Sequence, residues 1–245
     1  MASLCDQERT APRGRLLIKV LVLGAANAGK TSLVERYCLS SFSGQRRPTI
    51  GADFKTKTLD ALGNEEREVV LQLWDTAGAE RFQSQLGSTY YRNSDGALLV
   101  YDCGSEESVR QLVQWRNEVM SRVVPGFESY FPLVVCANKT DLKDGSPSAC
   151  EAIRGVQAWC KESGYPHVET SAKDGTGVAA AMMGIAALAL EARKNKPQDD
   201  VSTRQSIVLG AGGGGGGLER ELESMYTPQR NQGCAGGGGL ASGCN

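Results

Sequence analysis

One histidine, His167, serves the whole 245-residue chain, and no two of its eight cysteines form a CxxC pair. A zinc site needs several thiolates or imidazoles at short spacing, so no zinc centre is expected. The cysteines are scattered singly, and Cys38, Cys103, Cys136 and Cys160 fall inside apolar stretches. There a thiol packs as a small hydrophobe, and a disulfide framework is not the expectation. Excess charge is missing too: 27 basic residues face 28 acidic ones, which gives no footprint for a polyanion such as DNA. Long apolar runs are also missing. The longest, "VAAAMMGIAALAL" at 178–190, is too short to span a bilayer. The first fifteen residues are polar and charged, with no secretory pattern. The expectation is a soluble protein of a reducing compartment that binds small ligands or other proteins.

From Arg15 onward, short β-rich runs alternate with longer helical patterns, which predicts an α/β domain with a mostly parallel sheet and helices on both faces. Strands are expected at 16–24, 53–62, 67–75, 96–102, 131–139 and 167–172. The second and third are joined by "GNEE", a turn composition that predicts an antiparallel hairpin. The others are apolar almost throughout, as strands buried on both faces are. Helices are expected at 106–123, 149–164 and 178–194. In the first of these, Val109, Leu112, Val113, Val119 and Met120 keep helical spacing around one charged exception, Arg116. Residues 1–14 read as a disordered leader, 15–195 as one domain, and the glycine tracts of 196–245 as a flexible tail.

"GAANAGKT" at 24–31 fits G-x-x-x-x-G-K-[ST], follows a predicted strand and precedes the helical "SLVERYCL". Backbone N–H groups of Asn27, Ala28, Gly29 and the helix start, with Lys30, Thr31 and Ser32, cradle phosphates in such a loop. Lys30 reaches the β- and γ-phosphates and the Thr31 hydroxyl ligates Mg²⁺. Asn27 stands where these loops often carry glycine at positive φ, a region asparagine tolerates.

The base is decided elsewhere. In "NKTD" at 138–141, Asp141 can accept two hydrogen bonds from guanine, and adenine offers neither. Asn138 and Lys139 would tie this segment to the phosphate loop and flank the base. "SAK", Ser171, Ala172 and Lys173, would supply a backbone N–H to the guanine O6.

With these motifs the chain resembles the Ras superfamily and, within it, the Rab branch. "IGADF" (50–54), "LQLWDT" (71–76), "AERFQS" (79–84), "YYRNSDG" (90–96) and "LLVYD" (98–102) are Rab-like, and "TIGADF" and "RFQS" are most similar to late-endosomal Rabs. The resemblance covers about 15–195. It implies a P-loop NTPase fold with a six-stranded sheet, GTP or GDP with Mg²⁺ as cofactors, GTP hydrolysis, and a GDP/GTP switch in vesicle traffic, peripheral on the cytosolic face of endosomal or other vesicle membranes. Thr49 is then the threonine that ligates Mg²⁺ and senses the γ-phosphate. Asp75 holds Mg²⁺ through water, the Gly78 N–H contacts the γ-phosphate, and Phe42 packs against guanine. Ile50, Phe54, Trp74 and Tyr90 match a surface through which Rabs meet effectors. Ordinary core packing is the other reading of those three aromatics. An exchange factor and a GTPase activator are implied as further partners.

Three positions depart from the Rab pattern. Ala79 replaces the glutamine that orients attacking water, so nucleotide binding should survive while intrinsic hydrolysis falls. Rab-directed activators can supply a glutamine and an arginine in trans, so cleavage can be restored. The hairpin between Thr49 and Asp75 is a few residues longer than usual, with one extra residue around Gln85–Thr89. The chain ends "ASGCN", without the paired terminal cysteines typical of Rabs. Prenylation at Cys234 or Cys244 would supply membrane contact, and tail cysteines of no consequence are the other reading. The rival functions are a GTP-bound scaffold that never turns over and, against NKTD and SAK, a P-loop ATPase or kinase.

Overall fold

The computed structural model describes residues 14–44, 49, 52–60, 62, 67–76, 88–122, 131–143 and 146–195. Six strands form one sheet: β1 (Gly14–Leu23), β2 (Ala52–Thr58), β3 (Arg67–Thr76), β4 (Gly96–Asp102), β5 (Leu133–Asn138) and β6 (His167–Glu169), in the spatial order β2-β3-β1-β4-β5-β6. Every neighbouring pair is parallel except β2 with β3, the hairpin that "GNEE" predicted. The helices are α1 (Lys30–Leu39), the one-turn α2 (Ser88–Tyr91), α3 (Glu106–Arg122), α4 (Pro147–Ser163) and α5 (Val178–Asn195). The expected leader (except Gly14) and tail lie outside the described residues, as do most of the hairpin turn and residues 85–87.

The period-two alternation of each central strand splits the core into two layers. Ile18, Val20 and Val22 of β1, with Leu98 and Val100 of β4, face one way and pack with Leu33 and Val34 of α1 and Met182, Ile185 and Ala186 of α5. Leu21, Leu23, Leu99 and Tyr101 face the other way, against Val109 and Leu112 of α3 and Val156 and Trp159 of α4. Both faces are therefore apolar, which is why these strands read as continuous hydrophobic runs. The four cysteines assigned to the core are free thiols, with Cys103, Cys136 and Cys160 buried and Cys38 partly so. Burial pushes Cys136 and Cys160 up to about 12, leaving them protonated packing groups.

Beyond shifts of one or two residues at other element ends, three details differ from the expectation. Strand β2 stops at Thr58 rather than 62: buried Leu59 still donates its N–H to the Val69 carbonyl, and the chain then turns, with the Leu62 N–H donating back to the Leu59 carbonyl at 3.1 Å. Strand β6 stops at Glu169 rather than 172; Thr170 still donates its N–H to the Ala137 carbonyl at 2.7 Å, while Ser171 turns away, its N–H going to the Thr176 carbonyl, and both stay buried. In α3, Trp115 lies outside the expected stripe yet is 1% exposed, while Arg116 lies half-buried with its Nε donating to the Tyr165 hydroxyl at 3.1 Å. Being covered by neighbours beside the sheet as well as by the sheet itself widens the buried face beyond one stripe. Helix α4 begins as its sequence dictates: Ser146 caps it through Ala149 N–H and Pro147 occupies the first turn, while Gly164, at φ 72°, closes its end.

Candidate functional site

The ends of β1, β3, β4 and β5 and the loops that leave them bring the predicted residues together at the carboxyl edge of the sheet, where open α/β sheets bind ligands. The loop after β1 is shaped by close approach. At Gly24, with φ 145°, an added Cβ would lie 1.9 Å from the Val100 carbonyl oxygen; at Gly29, with φ 91°, it would lie 2.3 Å from Asn138 Nδ2. Asn27 takes φ 61°, the positive region foreseen for it. Lys30, 5% exposed, donates from Nζ to the carbonyls of Gly24 and Ala25, both at 2.8 Å. Burial lowers this ammonium to about 8, against the opposing pull of Asp75. A bound polyphosphate would supply the opposite charge that burial withholds. Ser32 is buried in the first turn of α1.

Beside Lys30, three oxygen donors from distant segments meet. Thr31 Oγ1 lies 2.9 Å from Thr49 Oγ1 and donates to Asp75 Oδ2 at 2.5 Å. Asp75 is 3% exposed, and its Oδ1 has no hydrogen-bond partner among the described residues. Burial pushes this carboxyl above its ordinary value, with the Thr31 hydrogen bond and the Lys30 charge pulling the other way. An orphaned, desolvated carboxylate oxygen beside two hydroxyls is an all-oxygen donor set suited to a hard cation such as Mg²⁺.

The 138–141 segment is braced on every side. Asn138, 1% exposed, donates from Nδ2 to the Ala28 carbonyl at 2.8 Å and accepts the Ala172 N–H on Oδ1 at 3.3 Å. It thus joins the phosphate loop to the 171–173 loop. Lys139, at φ 64°, is held by Asp102 at 2.7 Å. Asp141 Oδ1 accepts from Ser171 Oγ at 2.9 Å, while Lys173 Nζ stands 3.7 Å from its other oxygen. Beneath them Thr140 and Thr170 bond the neighbouring backbone: Thr140 Oγ1 donates to the Thr170 carbonyl, and Thr170 Oγ1 to that of Ala137. Phe42 lies 40% exposed, its ring 5.9 Å from the Arg36 guanidinium. The supporting roles of Asp102, Thr170 and Arg36 escaped the sequence reading. Only Asp102 carried any signal, as the last residue of the "LLVYD" strand. Gly78, Ala79 and Ile50 lie outside the described residues.

The sequence model of the Ras family matches residues 19–191. Among curated proteins, "Ras-related protein Rab7" of Gossypium hirsutum is 40% identical over 91% of this chain and 99% of its own length. "Ras-related protein RABG3c" of Arabidopsis thaliana is 43% identical over 82% of this chain and 95% of its own. "Ras-related protein RABG3f" of the same plant is 45% identical over 73% and 85%. The chain belongs to the Ras family, in its Rab branch. It is a guanine-nucleotide-binding GTPase, a switch of vesicle traffic that works through regulators and effectors. No helix among its described residues is long and apolar enough to cross a membrane.

The Rab aromatics form a continuous stack. Phe54 and Trp74 lie parallel with centroids 5.6 Å apart, and Tyr90 meets Trp74 edge-on at 5.5 Å while donating its hydroxyl to the Trp74 carbonyl at 2.7 Å. Phe54 is 53% exposed and Tyr90 6%, so the surface and core readings both describe the set, at opposite ends of it. Lys19 Nζ sits beneath, 4.2 Å from the Trp74 ring centre, donating to the Tyr90 and Arg92 carbonyls.

Proposed function

We propose that this Rab is a late-endosomal-type switch whose own GTP hydrolysis is slow. The meeting of Thr31, Thr49 and Asp75 around an unpartnered carboxylate oxygen carries the switch reading. These residues would hold Mg²⁺, which supplies charge neutralisation for the β- and γ-phosphates when bound. Lys30, buried and cationic, holds the phosphates from the other side. Asn138, Lys139 and Asp141, with Ser171, Ala172 and Lys173, read guanine. The Gly78 N–H meets the γ-phosphate, so that Thr49 and Gly78 report which nucleotide is present. Effectors dock on Phe54, Trp74 and Tyr90 with Ile50, and endosomal membranes are the site of action.

The slow rate rests on Ala79, whose methyl group has no donor or acceptor with which to aim water. Phosphoryl transfer depends on positioning and charge stabilisation, so losing the positioner lowers the rate while leaving binding intact. Identifying the nucleotide released on denaturing the purified protein tests this first. Mostly GTP is expected. Mostly GDP means that hydrolysis proceeds by a route that does not need the glutamine.

A further inference from the structure

Arg36, in the last turn of α1, is assigned no contact with phosphate, Mg²⁺ or base, and nothing in phosphate or Mg²⁺ chemistry calls for it. Its guanidinium nevertheless makes three hydrogen bonds to main-chain carbonyls of two other segments. Nε donates to the Ala172 carbonyl at 2.7 Å, Nη2 donates to the Lys173 carbonyl, and Nη1 donates to the Ser40 carbonyl at 3.3 Å. The same group lies 5.9 Å from the centre of the Phe42 ring. One side chain thus touches the 171–173 loop and the segment carrying Phe42, the two pieces expected on the base from different directions.

The bonded carbonyls matter because of peptide geometry. A trans peptide is planar, with N–H and C=O directed oppositely, so fixing one carbonyl fixes the direction of the N–H in the same plane. Pinning the Ala172 carbonyl sets the plane that carries the Lys173 N–H, and pinning the Lys173 carbonyl sets the next. The other side of Ala172 is set by its own N–H, which donates to Asn138 Oδ1 at 3.3 Å. The loop is therefore gripped at consecutive peptides from two directions, by Asn138 and by α1. Within itself it is a tight turn: Gly175 N–H donates to the Ser171 carbonyl at 2.9 Å, and a Cβ at Gly177 would lie 2.0 Å from the Glu169 carbonyl oxygen. That turn shapes the loop but does not tie it to the phosphate-binding half. Asn138 and Arg36 do so. A guanidinium suits the task, since its planar fork offers several donors in fixed directions where an ammonium offers a point charge. Its place in the final turn of α1 also sets a cation at the negative end of that helix.

We propose that Arg36 is a positioning residue for base recognition: it holds the Ala172–Lys173 peptides in register with the phosphate loop, and so sets the selectivity for the guanine 6-oxo group. The inference rests on the assignment of Ala172 and Lys173 to the O6 side of the base. Arg36 touches no nucleotide itself and acts through the backbone that does.

A purely structural brace would weaken every nucleotide alike, so the test compares two ligands. Release of GDP and of 6-thioguanosine diphosphate, which keeps the N1–H and 2-amino group but puts a weakly accepting sulfur in place of O6, is followed from full-length protein with Mg²⁺, for wild type, Arg36→Ala and Arg36→Lys. Wild type should release the analogue faster than GDP. In Arg36→Ala, GDP release should rise about tenfold, the worth of one charge-assisted hydrogen bond, while analogue release changes less than about twofold. Arg36→Lys, which keeps the charge and reaches fewer acceptors, should narrow the ratio less, and it decides the matter if the alanine variant does not fold. A ratio that stays at the wild-type value in the variants, whether both ligands leave faster or neither does, overturns the positioning role. A wild type that releases both ligands equally fast overturns the O6 assignment itself, and the Arg36 proposal with it.

Discussion

The two halves of the nucleotide edge are built differently. On the base side, Asn138, Lys139 and Asp141 each already hold a partner within the protein: the Ala28 carbonyl, Asp102 and Ser171. On the phosphate side, Lys30 folds onto the carbonyls of its own loop, and Asp75 leaves one buried oxygen without a partner among the described residues. A preorganised reader discriminates because its geometry does not relax toward a wrong base. A half-satisfied cluster responds, because a ligand that completes it adds free energy the protein alone lacks. The difference matches the work of a switch, whose base is the same in both states and whose phosphates are not.

Breaking the reader should have the largest effect. On the proposed assignment of Asp141 to guanine, Asp141→Ala would remove two charge-assisted hydrogen bonds, and GDP affinity by titration calorimetry should fall about a thousandfold. GTP should then lose most of its advantage over ATP in competition. On the phosphate side, Asp75→Asn should lower Mg²⁺ affinity about 10- to 100-fold, the usual cost of losing a group that orients bound metal. Without Mg²⁺ the same change should raise the melting temperature at neutral pH. Burial holds the Asp75 carboxyl above its ordinary value, so the folded protein carries a penalty that is full above the folded pKa and absent below the unfolded one. The gain from asparagine should accordingly disappear as pH falls through the acidic range. Equal melting curves at neutral pH would remove the claim that this carboxylate is a strained element awaiting a cation.

Much of this contrast could be read in advance, and the unread part has a physical cause. The phosphate loop, NKTD and SAK are contiguous motifs, so local order and spacing expose them, and the structure brings Thr31, Thr49 and Asp75 together across 44 residues of chain. The strand pattern was legible because both sheet faces are apolar. The braces were not. Arg36 and Asp102 act on backbone or on partners 136 and 37 residues away, and an arginine in a helix or an aspartate closing a strand carries no local mark of that. Trp115 was hidden likewise, its burial set by neighbours that periodicity cannot count.

Ala79→Gln tests the phosphate side from the opposite direction, by supplying the glutamine on whose absence the proposed slow hydrolysis rests. Single-turnover hydrolysis should rise about tenfold or more, with nucleotide affinity unchanged, because water positioning contributes to the transition state and not to ground-state binding. Equal rates would mean that Ala79 does not limit cleavage, and the contrast between a rigid reader and an incomplete trigger would then rest on Asp75 alone.

The smallest effect is expected at the brace behind the reader. Asp102 holds Lys139 at 2.7 Å with both side chains partly exposed, and Lys139 sits at φ 64°, a conformation lysine rarely adopts without support. Asp102→Asn keeps the shape and a hydrogen-bond acceptor but discards the charge. A partly exposed ion pair contributes under about 1 kcal/mol, so GDP release should quicken by about three- to fivefold in stopped flow. Because such pairs are screened by salt, the wild type should approach the variant's rate as ionic strength rises. A salt-independent difference would place the contribution of Asp102 in its shape and its turn, where its Oδ1 accepts the Gly104 N–H at 2.9 Å, and not in its charge.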